Sequence, residues 1–437
     1  MKKATAIFLV VLLFSLCSCS TEVNNTITTQ TEETTQTANI PSAEQLSSSV
    51  KDSRVTSDFL DFCSEKYGGD LLISLSTSLD KGEYDEDFWY VRTGNTLNVL
   101  LDIFSGADKA ENYVSLGSNG RESFSMSFAG DINLADDWCL MQHCVTVEGG
   151  ALGCVSSELV SEMKSADVMI INNEFAFSDR GSPLRGKMYT FRAKTENVEM
   201  LKQLGVDAAC LANNHVYDYG RNAFFDTLST LDKAGIKRFG AGKNAEEAQQ
   251  PLYYVVNGIK VAIIGATRAE KYIMTPEALE DTPGVFRTYD DTRLIRSIEQ
   301  AKQNSDIVIA FLHWGTEFTS VLEPVQISLG RKCVDAGADA VIGAHPHCLQ
   351  GMDFYKDKLI AYSLGNFWFN DETVDTGILK LEISSPENIS SSFVPCIQKN
   401  CETFLATDKK EQTRIFGYLE ELSDNLTIDE NGKINPS

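Results

Sequence analysis

From Ser123 onward, short apolar runs alternate with amphipathic segments, and that alternation limits the folds open to the chain. "FSMSFAG", "DVMIIN" and "DAACLAN" have the length and composition of strands. "SSELVSEMKSA", "TENVEMLKQLG" and "RNAFFDTLSTLDKAG" carry the spacing of helices with one apolar face. Strand–helix alternation predicts an α/β domain. "LYYVVNGIKVAIIGA" places two apolar runs about Asn257-Gly258, a strong hairpin signal. "DIVIAFLHWG" and "DAVIGAHPH" read as further strands, separated by the helical "VQISLGRKCVDAG". "MDFYKDKLIAYSLGNF" reads as a second hairpin, turning near Lys356-Asp357. Parallel units combined with hairpins predict a mixed sheet or two packed sheets. Beyond about Glu372 the pattern weakens, and 373–437 reads as a C-terminal extension.

Polar clusters sit where the predicted strands end. They are "AGDINL" with Asp131, "INNEF" with Glu174, "ANNHVYDYG" with Asn214, His215 and Asp218, "LHWGTEF" with His313, and "GAHPH" with His345 and His347. Open α/β sheets bind ligands outside the carboxyl ends of their strands, so these segments are expected to meet in space. Four of the five histidines fall in this set. Taken singly, each is a structural imidazole or a turn cap as readily as a ligand. Together they form a mixed nitrogen and oxygen donor set, suited to zinc, iron, nickel or manganese. A carboxylate shared between two ions would make a two-metal site able to activate water. Pro346 biases His345 toward an extended backbone. His143, outside these clusters, reads as structural.

The N-terminus sets the location. Lys2 and Lys3 precede an apolar run from Ala6 to Phe14 that is too short to span a bilayer. It reads as a secretory signal over 1–19. "LCSC" resembles a bacterial lipobox, with Cys19 as the lipidated residue, which implies a cell-membrane anchor on the extracytoplasmic side. Residues 20–55 read as a disordered linker, because eight threonines lie between Thr21 and Thr37 and aromatics are absent. Such a tether has a typical reach of about 30–35 Å. Residues 56–118, which include Phe88, Trp89 and Tyr90, read as a small ordered N-terminal module without assignable chemistry. The formal net charge of -24 argues against nucleic-acid binding. Nine cysteines follow Cys19, an odd number that cannot all pair. Most read as small buried hydrophobes.

"FAGDINL", "NNEFAF", "LANNHVYDYGRNAFFDTLSTLDKAGI", "LHWGTEF", "DAGADAVIGAHPHCLQG" and "IAYSLGNFWF" resemble the CapA family of bacterial capsule, or poly-gamma-glutamate, biosynthesis proteins. The resemblance covers about Ser123 to Asn370. It implies a calcineurin-like metallophosphoesterase-type sandwich of mixed β-sheets flanked by helices, over 122–372. It further implies two divalent ions (manganese, iron or zinc). Asp131 would bind the first, Glu174 would bridge, Asn214 and His313 would bind the second, and His345 and His347 would complete the second and first. His215 would be the general acid. One departure stands out: the phosphoesterase pattern opens Asp-x-His, whereas this chain has Asp131-Ile132-Asn133.

Between the motifs, "SDRGSPLRGKMYTFRAK" concentrates positive charge in an acidic protein. It reads either as a solvated loop or as an anion-binding rim of Arg185, Lys187 and Arg192, with Arg192 anchored by Phe191. The expected partners are an anionic polymer or phosphate-containing substrate and a capsule synthesis or export complex. The sequence leaves two functions open: a metal-dependent hydrolase, or a lipid-tethered accessory that guides an anionic polymer without catalysis.

Overall fold

The computed structural model describes residues 41–437 apart from positions 86, 107, 109–111, 118–119 and 271–273. The signal segment, Cys19 and the linker up to residue 40 lie outside the described residues.

Two mixed sheets pack face to face. The larger runs Leu426–Ile428, Lys433–Pro436, Asn388–Lys399, Val374–Ser385, Phe124–Ile132, Val168–Asn173, Ala208–Cys210, Lys237–Phe239. Its last four strands are parallel. The smaller runs Tyr113–Leu116, Leu252–Val256, Ile259–Thr267, Ile307–His313, Ala340–Ala344, Lys358–Ala361, Met352–Tyr355. Residues alternate sides along a strand, and the core follows that period. Phe124, Met126 and Phe128 face Ile263, Ile309, Phe311 and Ile342 between the sheets. The Phe128 and Phe311 rings stack at 6.2 Å. On the outer face of the larger sheet, Met169, Ile171 and Ala209 meet Leu159, Leu201 and Phe224 from three helices. On the outer face of the smaller, Ala262, Val308 and Ala310 meet Leu294, Ile298 and Leu329 from two helices. The result is the expected sandwich of mixed sheets flanked by helices. Both hairpins form where expected, with Asn257, Gly258, Lys356 and Asp357 all at positive φ.

The boundaries of two segments differ from the sequence reading. The linker ends before residue 41, not at 55. Helix Ala43–Ser49 is started by a capping box in which Ser42 and Gln45 satisfy each other's backbone. Leu46, Val50 and Val55 then bury against Phe59, Leu75, Trp89 and Leu100 of the N-terminal module. The threonine-rich composition masked this short apolar pattern. Residues 373–437 are no appendage. Val374–Ser385 pairs antiparallel with Phe124–Ile132, matching Leu379 to Phe128, and hairpins back into Asn388–Lys399. Asp375, Lys380, Glu382 and Ser384, all half-exposed, diluted the apolar signal, while Ile378, Leu379, Leu381 and Ile383 are buried. The N-terminal module docks through Asp306, which accepts hydrogen bonds from Thr96 Oγ1 (2.6 Å) and Asn98 Nδ2 (2.9 Å).

Candidate metal centre

The chemistry-bearing residues converge at the carboxyl ends of strands from both sheets. Asp131 is the penultimate residue of strand Phe124–Ile132, Glu174 follows Val168–Asn173, and Asn214 and His215 follow Ala208–Cys210. From the other sheet, His313 ends Ile307–His313, and His345 and His347 follow Ala340–Ala344. Glycine allows this convergence. A Cβ at Gly130 would lie 1.9 Å from Gly365 O, the carbonyl that accepts from Asp131 N. A Cβ at Gly343 would lie 1.9 Å from Tyr362 O.

Asp131, Glu174 and His313 each bring a ligand atom within 4.8 Å of the others, and so do Glu174, His345 and His347. Glu174 belongs to both groups. Its side chain is fully buried and neither carboxylate oxygen has a hydrogen-bond partner. His313 Nε2 lies 3.3 Å from Glu174 Oε1 and 2.8 Å from Asn214 Oδ1. His347 Nδ1 lies 3.5 Å from Asp131 Oδ2 and 2.8 Å from Asn366 Oδ1. Asn366 thus supports this end of the site. His345 and His347 are not on an extended strand. Their φ angles are 101° and 58°, in a region that non-glycine residues seldom occupy. The strand ends at Ala344 and the chain bends over Pro346, His347 and Cys348, so the extended bias from Pro346 is overridden.

Burial governs the electrostatics. It pushes the Asp131 carboxyl up, against the lowering effect of His347. It pushes Glu174 well above the usual carboxylate range, with Asp131 adding to the effect. His313 and His345 are held well below the ordinary imidazole range, first by burial and then by neighbouring imidazoles. Neutral imidazoles, a buried Asp131 and a buried Glu174 without donors form a ligand set that a divalent cation neutralises. The residues therefore fit a metal.

His215 stands beside this set. Its Nδ1 is 2.6 Å from Asp218 Oδ2, and its Nε2 is 3.9 Å from Glu174 Oε1. Burial lowers the His215 imidazole and the Asp218 charge opposes that. The Phe191 ring packs 4.4 Å from the His215 ring, so Phe191 anchors that imidazole.

The basic loop divides. Lys187 turns inward, with Nζ 2.7 Å from Asp218 Oδ1 and 3.2 Å from Glu270 Oε1. Arg192 lies over the Tyr219 ring at 4.3 Å and donates to Arg180 O at 3.1 Å. Arg185 is exposed. His143 pairs with Glu402 at 2.9 Å, away from the site. Two participants escaped the sequence reading. Asn172 Nδ2 donates to Asp131 Oδ1 at 2.7 Å and sits 3.1 Å from His313 Nδ1, linking the two sheets. Asn213 Oδ1 accepts from His215 N and Val216 N, both at 3.0 Å. The doubled asparagines in "INNEF" and "ANNH" were the available signal.

Fold and site together define an α/β protein with a candidate metal centre at its strand ends. A family model described as "Bacterial capsule synthesis protein PGA_cap" matches residues 125–371, and the chain belongs to that family. The capsule biosynthesis protein CapA of Bacillus anthracis is 33% identical over 234 residues, covering 52% of this chain and 56% of that protein. The PGA biosynthesis protein CapA of Bacillus subtilis is 31% identical over 274 residues, covering 62% and 70%. The chain thus spans little more than half of the first relative's length. Among solved structures, the NAD nucleotidase NadN of Haemophilus influenzae aligns at TM-score 0.37 and 14% identity, over 69% of this chain and 57% of that one.

Proposed function

We propose that this capsule-family protein is a metal-dependent hydrolase or transferase acting on a phosphate-containing or anionic polymer substrate, anchored outside the cell membrane through Cys19. The observation that carries the proposal is Glu174, a buried carboxylate without hydrogen-bond donors, shared by two potential ligand groups. By the family resemblance Asp131, Glu174 and His347 would hold one ion and Glu174, Asn214, His313 and His345 the other, whereas the ligand atoms themselves cluster as Asp131, Glu174 and His313 and as Glu174, His345 and His347. Bound divalent ions supply Lewis-acid polarisation of a phosphoryl or carbonyl oxygen and activate water for attack. The remaining chemistry belongs to the chain. His215 would deliver a proton to the leaving group, an oxygen in a phosphoester or a nitrogen in an amide, as its bond to phosphorus or carbon breaks and the bond to the water oxygen forms. Asp218 fixes the His215 tautomer. Lys187 pairs with Asp218 and Glu270 and so steadies the carboxylate that orients His215.

The test is metal stoichiometry of the full chain after manganese supply, beside a screen of phosphoester and polyglutamate hydrolysis with and without chelator. Metal retention with chelator-sensitive turnover supports the proposal. A chain that holds no ion under any metal supply defeats it and leaves the non-catalytic polymer guide. The anchor has its own test: Cys19→Ala should release the protein from membranes, and a variant that fractionates like wild type removes that part of the proposal.

A further inference from the structure

Four of the cysteines gather outside the metal centre. Helix Cys139–Cys144 and helix Ala151–Cys154 pack together, and Cys401 lies in the turn before the strand Glu402–Leu405. The backbone ties these pieces to one another. Val155 bridges Thr403, Ser156 N donates to Thr403 O at 2.9 Å, and Leu405 N donates to Ser156 Oγ at 3.2 Å. His143, between the cysteines of the first helix, pairs with Glu402, the neighbour of Cys401. Within this cluster the thiols meet in two pairs. The Cys144 and Cys154 thiols are neighbours, as are those of Cys139 and Cys401; Cys144, Cys154 and Cys401 lie in one buried core cluster and Cys139 packs against it.

We propose that Cys144–Cys154 and Cys139–Cys401 form two disulfide bonds in the mature protein. The other pairing suggested by sequence proximity, Cys139 with Cys144, fails geometrically. Five residues of helix separate their Cα atoms by about 7.5 Å along the axis and turn them by about 140°. A disulfide needs Cα atoms within about 7 Å and Cβ vectors that converge. Each bond forms when two thiols lose two protons and two electrons. The electrons pass to a disulfide-bearing oxidant, which is reduced to two thiols. In the first pair either thiol can attack once it has lost its proton. Burial pushes the Cys401 thiol up to about 12, so in the second pair the half-buried Cys139 is better placed to meet an oxidant.

The bonds would have a structural consequence near the site. Trp138, adjacent to Cys139, packs against Phe191 at 5.0 Å, and Phe191 packs against His215. The Cys139–Cys401 bond therefore fixes the platform behind His215. The inference does not depend on the proposed metal chemistry.

The experiment treats the full chain with a mixed oxidised and reduced glutathione buffer, blocks free thiols under denaturing conditions, and maps fragments without reduction. Cyanogen bromide at Met141 and glutamyl cleavage at Glu148 separate Cys139, Cys144 and Cys154 from one another, and trypsin releases Asn400–Lys409 with Cys401. The expected map joins the Cys139 fragment to the Cys401 fragment and the Cys144 fragment to the Cys154 fragment. Cys63, Cys210, Cys333, Cys348 and Cys396 should be alkylated. Alkylation of all nine, or links in any other pairing, overturns the proposal; one link without the other overturns the missing pair.

Discussion

At the scale of single residues, Glu174 sets the energetics of the site. A buried carboxylate without donors is costly unless it is protonated or neutralised by a cation. Removing its charge should therefore relieve the metal-free protein while weakening the metal-bound one. In chelator, Glu174→Gln is expected to melt at or above the wild-type temperature. With manganese at 100 times its Kd, wild type should gain about 2.7 kcal/mol, and the variant much less. Equal metal-induced shifts in the two proteins would remove Glu174 from the ligand set. His215→Ala should separate from this behaviour: turnover lost by about two to four orders of magnitude, as for loss of a general acid, with the metal-induced shift retained. Loss of bound metal in that variant would make His215 a ligand instead. These side chains were legible in the sequence because each closes an apolar run. Asn172 was not, since an amide within "MIINN" looks like any strand-end residue until Asp131 and His313 from two different sheets meet it. Nor was the inward turn of Lys187, which depends on Asp218 and Glu270, each at least 31 positions away.

At the scale of elements, the C-terminal hairpin is the least expected contributor. Val374–Ser385 covers the edge of Phe124–Ile132, the strand that carries Asp131. Helix Lys409–Glu421 adds Ile415, Phe416 and Leu419 to the core between the sheets. A chain ended after Glu372 would expose that edge and open that core, whereas one begun at Pro41 keeps every described strand. The shorter chain is expected to be insoluble or to lack a cooperative thermal transition, with 41–437 melting as the full chain does. A soluble, cooperatively melting 1–372 fragment would restore the extension reading. The parallel strands and both hairpins were legible because fully buried runs and Asn-Gly or Lys-Asp turns speak locally. The long hairpin was not, because half-exposed Lys380 and Glu382 interrupt its buried residues and the strand that buries them lies some 250 positions earlier.

At the scale of the whole molecule, the formal charge of -24 opposes the approach of any polyanion. The two functional readings then differ in the sign of a salt effect. If an ion-loaded centre captures the anion, attraction acts at short range in a buried site, while the surrounding acidic surface repels at long range. Raising ionic strength shortens the Debye length from about 30 Å at 0.01 M to about 8 Å at 0.15 M. That screens the long-range repulsion first, so association of a short polyglutamate should speed up, and chelator should abolish binding at every salt concentration. If the exposed cations of the basic loop do the capturing, the same change screens attraction, so binding weakens with salt and ignores chelator. The structure sharpens this contrast, because Lys187 is held by Asp218 and Arg180 by Asp226, leaving Arg185 as an exposed charge of that loop. Arg185→Ala should accordingly change association by less than about threefold, as expected for removal of one screened surface charge. Stopped-flow association at the two ionic strengths, with and without chelator, decides the matter. Binding that falls as salt rises and persists in chelator would replace the metal-centred function with the polymer guide.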